Sequence, residues 1–180
     1  TEGWTLATWS RQIEAIGWPL SSTVAVAALA TAIAIMLSLA CLENEQRHGI
    51  RVGRRSLWLI YTPLLVPQIA FLFGAQVLAI LLDIDGTIAA VTAMHLLFVL
   101  PYVFLSLADP WRALDPRYAR SAASLGAPPG RIFFHIKLPM LLRSILIAGA
   151  VGFAVSVAQY LPTIFAGNGR TGFCHRLVRQ

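Results

Sequence analysis

Few side chains within the apolar parts of this chain are able to do chemistry. His95 is the one titratable group near the middle of its apolar run, and Gln68 and Gln76 are amides inside another. A histidine in that setting has two readings. Ionisable groups inside a membrane mark functional sites, so it can carry protons; it can equally be a neutral imidazole hydrogen-bonded between helices. The two amides likewise either face water along a path or are satisfied by neighbouring helices. Asp83-Ile84-Asp85-Gly86 sets two carboxylates close together, but the remaining ligands of a calcium loop are missing and the run reads as a tight turn. The sequence has no glycine-rich phosphate loop ending in Lys-Ser or Lys-Thr, no nucleophile–base pair and no metal-ligating cluster. It therefore reads as no enzyme and as needing no cofactor.

The elements that must position these groups are membrane helices. Of the 180 residues 57% are hydrophobic and 12% charged, with a mean hydropathy of +0.70. Soluble domains carry about 25% charged residues, so the expected class is an all-α integral membrane protein. The net charge of +6 raises nucleic acid as a partner. The arginines, however, cluster in two loops between apolar runs, where they set topology rather than bind nucleic acid.

Four runs reach the ~20 residues that a crossing helix needs. Pro19 to Cys41 holds no charge, and Ala25, Ala28 and Ala32 share one face of it, a pattern that marks close helix packing in lipid. Leu57 to Leu82 is interrupted by Pro63 and Pro67, each of which removes a backbone hydrogen bond, so a kink is expected. It would line a translocation path through Pro67, Gln68 and Gln76, with His95 from the next run. Thr87 to Ala108 is the third span. Leu138 to Ala158 is the fourth, with Arg143 able to snorkel to the headgroups and Ala148, Gly152 and Ser156 in a small-residue seam. Ahead of these, residues 1–18 hold Trp4, Trp9 and Trp18 and read as an interfacial helix or as a linker.

Ten of the fourteen Lys and Arg lie between Leu42 and Ser56 or between Arg112 and Arg143. If every run crosses, both regions fall on one side, which the positive-inside rule makes cytoplasmic, with both termini outside. Cys41 and Cys174 then lie on opposite sides and are expected to stay unpaired.

Between the third and fourth spans, Asp115 to Pro139 (DPRYARSAASLGAPPGRIFFHIKLP) is too charged to cross. Asp115 is a good N-cap and Pro116 a good first helical residue. Gly126 can take the left-handed conformation that ends a helix, and Pro128 and Pro129 start a second short one. The stretch reads as a helix–turn–helix elbow at the membrane surface.

Leu125-Gly126-Ala127 followed by Ile136-Lys137-Leu138-Pro139 resembles the cytoplasmic coupling loop of ABC importer permeases, with the interval from Gly126 to Pro139 the same. In that register Arg120, Ser121 and Ala122 stand where the family has Glu-Ala-Ala, so a base replaces its acid. Gly86-Thr87 to His95 and Pro101-Tyr102 resemble the corresponding family helix. The last third, YLPTIFAGNGR above all, is most similar to the thiamine, polyamine and ferric-ion branch.

The resemblance implies a multi-pass protein of a bacterial inner membrane, with a permease domain over residues 19–170 and a coupling loop over 115–139. It implies ATP-binding cassette subunits inside, docked on Arg120, Ser121, Ala122, Leu125, Gly126, Ala127, Leu138 and Pro139. A second permease half or subunit and a periplasmic solute-binding protein complete the expected partners, with membrane lipid around them. The family core has five spans, so a fifth is expected to be missing, and residues 171–180 read as an atypical, truncated tail. Two other readings stand beside it: an ion- or proton-coupled carrier, against which the lack of a mid-span carboxylate counts, and a non-transporting membrane fragment.

Overall fold

The computed structural model describes residues 7–49, 53–159 and 161–163. Every element among them is helical. In chain order these are α1 Ala7–His48, α2 Arg54–Leu65, α3 Gln68–Leu81, α4 Ile88–Arg112, α5 Pro116–Ser124 and α6 Pro129–Ile132. A π-helical turn Phe133–Lys137, α7 Leu138–Met140 and α8 Leu142–Ala158 follow. The chain is thus an all-α membrane protein. Leu20–His48 and Ile88–Arg112 are each long and apolar enough to cross a bilayer, and two bent helix pairs bring the number to as many as four.

At 42 residues α1 is about 63 Å long, twice the ~30 Å hydrocarbon thickness. It takes in both the run Pro19–Cys41 and most of the segment before it. The reading of Leu42–Ser56 as a connecting loop needs correction, because α1 continues through His48. Rising polarity does not end it. Glu43 and Arg47 pair at 2.7 Å one turn apart, while Leu42 and Glu45 are buried against the rest of the chain.

The core lies where α1, α4 and α8 meet. Ala27, Ala30, Thr31, Ala34 and Ser38 form the buried face of α1. Ala25, Ala28 and Ala32, expected there from their spacing, are exposed. A helix apolar on every side has several small-residue stripes, and its rotation against its neighbours chooses among them. On α8 the expected seam is the buried one: Ala148, Gly152 and Ser156. The large side chains Val99, Val103, Phe104, Leu107 and Trp111 of α4 fill the space opposite.

The expected kink is a full break. Pro63 stays inside α2, and the chain turns at Val66–Pro67, where α2 and α3 meet at 112°. Proline cannot donate the next helical hydrogen bond, and it drives the residue before it into extended backbone; Val66 has ψ 140°. α3 packs Leu72 and Ala79 on Val91, Met94 and Phe98 of α4. The turn 82–87 then reverses the chain through two left-handed residues, Asp83 (φ 55°) and Gly86 (φ 69°). Thr87 caps α4 by accepting from the Ala90 amide at 3.2 Å.

The run Leu138–Ala158 is also divided. α7 ends at Met140, and the stretch Pro129–Met140 meets α8 at 73° across Leu141.

Candidate functional site

The elbow assembles as its punctuation predicts. Asp115 caps α5, accepting from the Arg117 amide at 2.8 Å, and Pro116 is its first residue. The reversal falls at Gly126 with φ 81°, closed by Gly126 N–H to Ala123 O at 2.9 Å and Ala127 N–H to Ala122 O at 3.1 Å. Those two bonds satisfy carbonyls that the helix end would otherwise leave open. Pro128 and Pro129 then open α6.

α5 has no buried residue. Arg120 and Ser121 are exposed, Ala122 and Ala127 half-buried, and Leu125 at the tip is 88% exposed. Leu138 is half-buried on the core and Pro139 exposed, both at the far end of the elbow from Leu125. Six of the eight residues assigned to docking therefore cluster at the tip, and two belong to its root.

The root is held by charged groups that the sequence reading passed over. Lys137 lies buried between Glu43 and Gln46 of α1 and the ring of Trp111 on α4. Beside it Arg112 grips both carboxylate oxygens of Glu45, at 3.2 and 3.3 Å. One signal was there: Glu43 and Glu45 are acids inside an otherwise basic region.

The polar groups at membrane depth separate into two places. A cavity of about 520 Å³ opens at the α2–α3 break, lined by Gln68, Phe98, Tyr102 and Gln159 among others. Of the residues expected along a path, Gln68 lines it; Pro67 is exposed at the break, and Gln76 sits further along α3 with its Oε1 buried and without a hydrogen-bond partner. Gln159, which the sequence reading did not single out, also lines the cavity, and its Oε1 is buried, likewise without a hydrogen-bond partner.

His95 is elsewhere. It is buried between α4 and α8, with Nδ1 2.8 Å from Ser156 Oγ and Nε2 3.1 Å from Thr163 Oγ1. The Thr163 hydroxyl donates to Gln159 O at 3.2 Å. Its oxygen therefore accepts from Nε2–H, and Nδ1 accepts from Ser156 Oγ–H. A neutral imidazole in that tautomer satisfies every group in the chain of bonds. Of the two readings of His95, this geometry is that of the satisfied packing residue. Among the described residues no group of His, Cys, Asp and Glu is arranged to hold a metal ion.

A sequence model of the family described as "binding-protein-dependent transport system inner membrane component" matches residues 30–174. The chain belongs to that family. Over 151 residues it is 40% identical to the inner membrane ABC transporter permease protein YnjC of Escherichia coli K12, an alignment covering 84% of this chain and 28% of that protein. It is 28% identical over 186 residues to the molybdenum transport system permease protein ModB of Mycobacterium tuberculosis, covering 94% of this chain and 70% of ModB. It is 30% identical over 159 residues to the putrescine transport system permease protein PotI of E. coli K12, covering 84% and 56%. The chain thus spans between about a quarter and seven-tenths of the length of these relatives. The family is one of inner-membrane ABC importer permeases, membrane components of transport systems rather than enzymes.

Proposed function

We propose that this permease is a membrane-spanning component of an ATP-driven solute importer, and that its elbow, residues 115–139, docks on an ATPase subunit. The observation carrying this reading is the contrast within the elbow. Its tip presents Leu125 and an α5 with no fully buried residue to the outside, while its root is fastened to α1 and α4 by Lys137. A lever needs that combination of a free surface at one end and a fixed joint at the other.

In this reading α1, the α2–α3 pair, α4 and the pair ending in α8 are four crossings. The basic regions between Leu42 and Ser56 and between Arg112 and Arg143 are cytoplasmic, and both termini are periplasmic. ATP hydrolysis belongs to the partner subunits, a binding protein delivers solute from outside, and a second permease half completes the path. The cavity at the α2–α3 break is the part of this chain suited to line that path, since it gathers Gln68, Gln159 and two aromatic rings. A relative is named for putrescine, a polyamine, and the last third of the chain resembles a branch that includes polyamine permeases. Uptake assays therefore begin with putrescine. The enclosure of His95 between hydroxyls, outside the cavity lining, counts against the proton-coupled alternative.

Gly126 tests docking. A Cβ there would meet nothing within 4 Å in this chain, so crowding inside the permease does not explain a loss; the left-handed backbone (φ 81°) adds a strain on the order of 1 kcal/mol to any side chain placed there. Gly126→Asp should leave membrane insertion intact and abolish co-purification with the ATPase subunit in detergent. Arg120→Glu, which restores the acid of the family pattern, should strengthen co-purification or leave it unchanged. Full ATPase recovery with Gly126→Asp would remove the docking reading.

A further inference from the structure

We propose that Lys137 is a positioning residue that clamps the root of the elbow to α1, so that the elbow and the α1–α4–α8 body move as one piece. Only the force that drives the movement rests on the docking reading; the clamp itself lies within this chain.

Lys137 is 7% exposed. Its ammonium donates to Glu43 Oε2 and, at 2.8 Å, to Gln46 Oε1, and stands 5.7 Å from the centroid of the Trp111 ring. Two of its donors are thus aimed at α1, and its charge faces an aromatic surface of α4. Phe133, at the start of the same π turn, packs on Trp111 with ring centroids 6.0 Å apart. Both ends of that turn are therefore fixed to the body. π-helical turns are rare and favour functional sites, and this one carries the side chains through which the elbow meets α1 and α4. Glu45, two residues beyond Glu43, holds Arg112. Acids on one end of α1 reach two different elements.

Burying such a pair is a poor way to gain stability, because an apolar replacement of similar size often does as well or better. What a buried, directional pair does supply is a fixed relative position. The elbow needs one, since α5 contributes no buried residue of its own. Removing the lysine takes a donor from Glu43 Oε2 and Gln46 Oε1, but both side chains are only half-buried and Glu43 Oε1 keeps Arg47 at 2.7 Å. Lys137→Met should therefore fold and lose the clamp alone.

The test uses spin labels on cysteines at Leu125 and Met36, both exposed, one at the elbow tip and one on α1. The full-length permease is held in lipid nanodiscs with Cys41 and Cys174 replaced by serine. Wild type should give a single narrow distance distribution. Lys137→Met should broaden it, Lys137→Arg should restore most of the narrow population, and Glu43→Gln should broaden it in the same way. The double variant Glu43→Gln/Lys137→Met should be no broader than either single one, as for two residues acting through one interaction. A second pair, Met36 with Leu105 on α4, should stay narrow throughout. A narrow Leu125–Met36 distribution in Lys137→Met overturns the clamp, and so does broadening of the Met36–Leu105 pair, which would make Lys137 a general fold determinant. Co-purification of wild type with its ATPase is read in parallel. Failure there removes the docking reading while the distances still decide the clamp.

Discussion

Among the described glycines, Gly152 leaves the least room for a Cβ, and replacing it makes a quantitative test. A Cβ built there would lie 2.7 Å from Val103 Cγ2, 3.0 Å from Thr31 Cγ2 and 3.2 Å from Val99 Cγ1. These neighbours come from both α1 and α4, and none is the far end of a flexible chain. Valine and threonine are stiff at χ1, and all three sit in the buried interface, so Gly152→Ala must push helices apart. Forcing one extra carbon into a packed core costs about 1–3 kcal/mol. Alanine also favours helix over glycine by up to about 1 kcal/mol, which would mask part of the cost. Gly149→Ala in the same helix removes that ambiguity: its new Cβ meets only Ile35 Cδ1 at 3.6 Å, an ordinary contact. The propensity gain cancels between the two variants. Gly152→Ala should then be less stable than Gly149→Ala by about 1–3 kcal/mol, read as denaturant midpoints of the purified permease in detergent. Val103→Ala combined with Gly152→Ala should recover part of the loss by reopening the space. Equal midpoints for the two alanine variants would refute the packing assigned to α1, α4 and α8.

Three further outcomes follow from other parts of the molecule. His95→Leu should lower thermal stability by about 1–3 kcal/mol, because Ser156 and Thr163 lose their shared partner in a buried site. His95→Gln, which can still bond both hydroxyls, should keep stability and any uptake close to wild type at every pH; loss of uptake on one side of pH ~6.5, the ordinary histidine value, would favour a proton-carrying role instead. Asp115→Ala removes the cap on the Arg117 amide and should destabilise α5 by about 1 kcal/mol, seen as faster hydrogen exchange confined to residues 116–124. A single cysteine at Ala127, in a background without Cys41 and Cys174, should react with a membrane-impermeant thiol reagent only after the cells are permeabilised; labelling of intact cells would invert the proposed topology.

What the sequence determined by itself is local. The elbow was legible because its signals act within one turn: Asp115 caps an amide two residues on, Pro116 needs no donor, and Gly126 supplies a left-handed turn on its own backbone. The membrane class followed from composition, and the α8 seam from spacing, because glycine and serine at that interval leave one face of that helix thin. The break at Pro67 was legible in position and not in size, since a proline removes a bond whereas the packing of α3 on α4 sets the 112° angle. Tertiary structure alone decided which stripe of α1 is buried. A helix apolar all round encodes no preferred rotation, and α4 and α8 select Ala27, Ala30 and Ala34 over Ala25, Ala28 and Ala32. It also decided the two polar networks. Lys137 meets Glu43 across 94 positions and His95 meets Ser156 across 61, and no spacing rule reaches that far. Such pairs form because folding takes those groups out of water together, where a charge or hydrogen-bonding group must be satisfied by the partners buried with it.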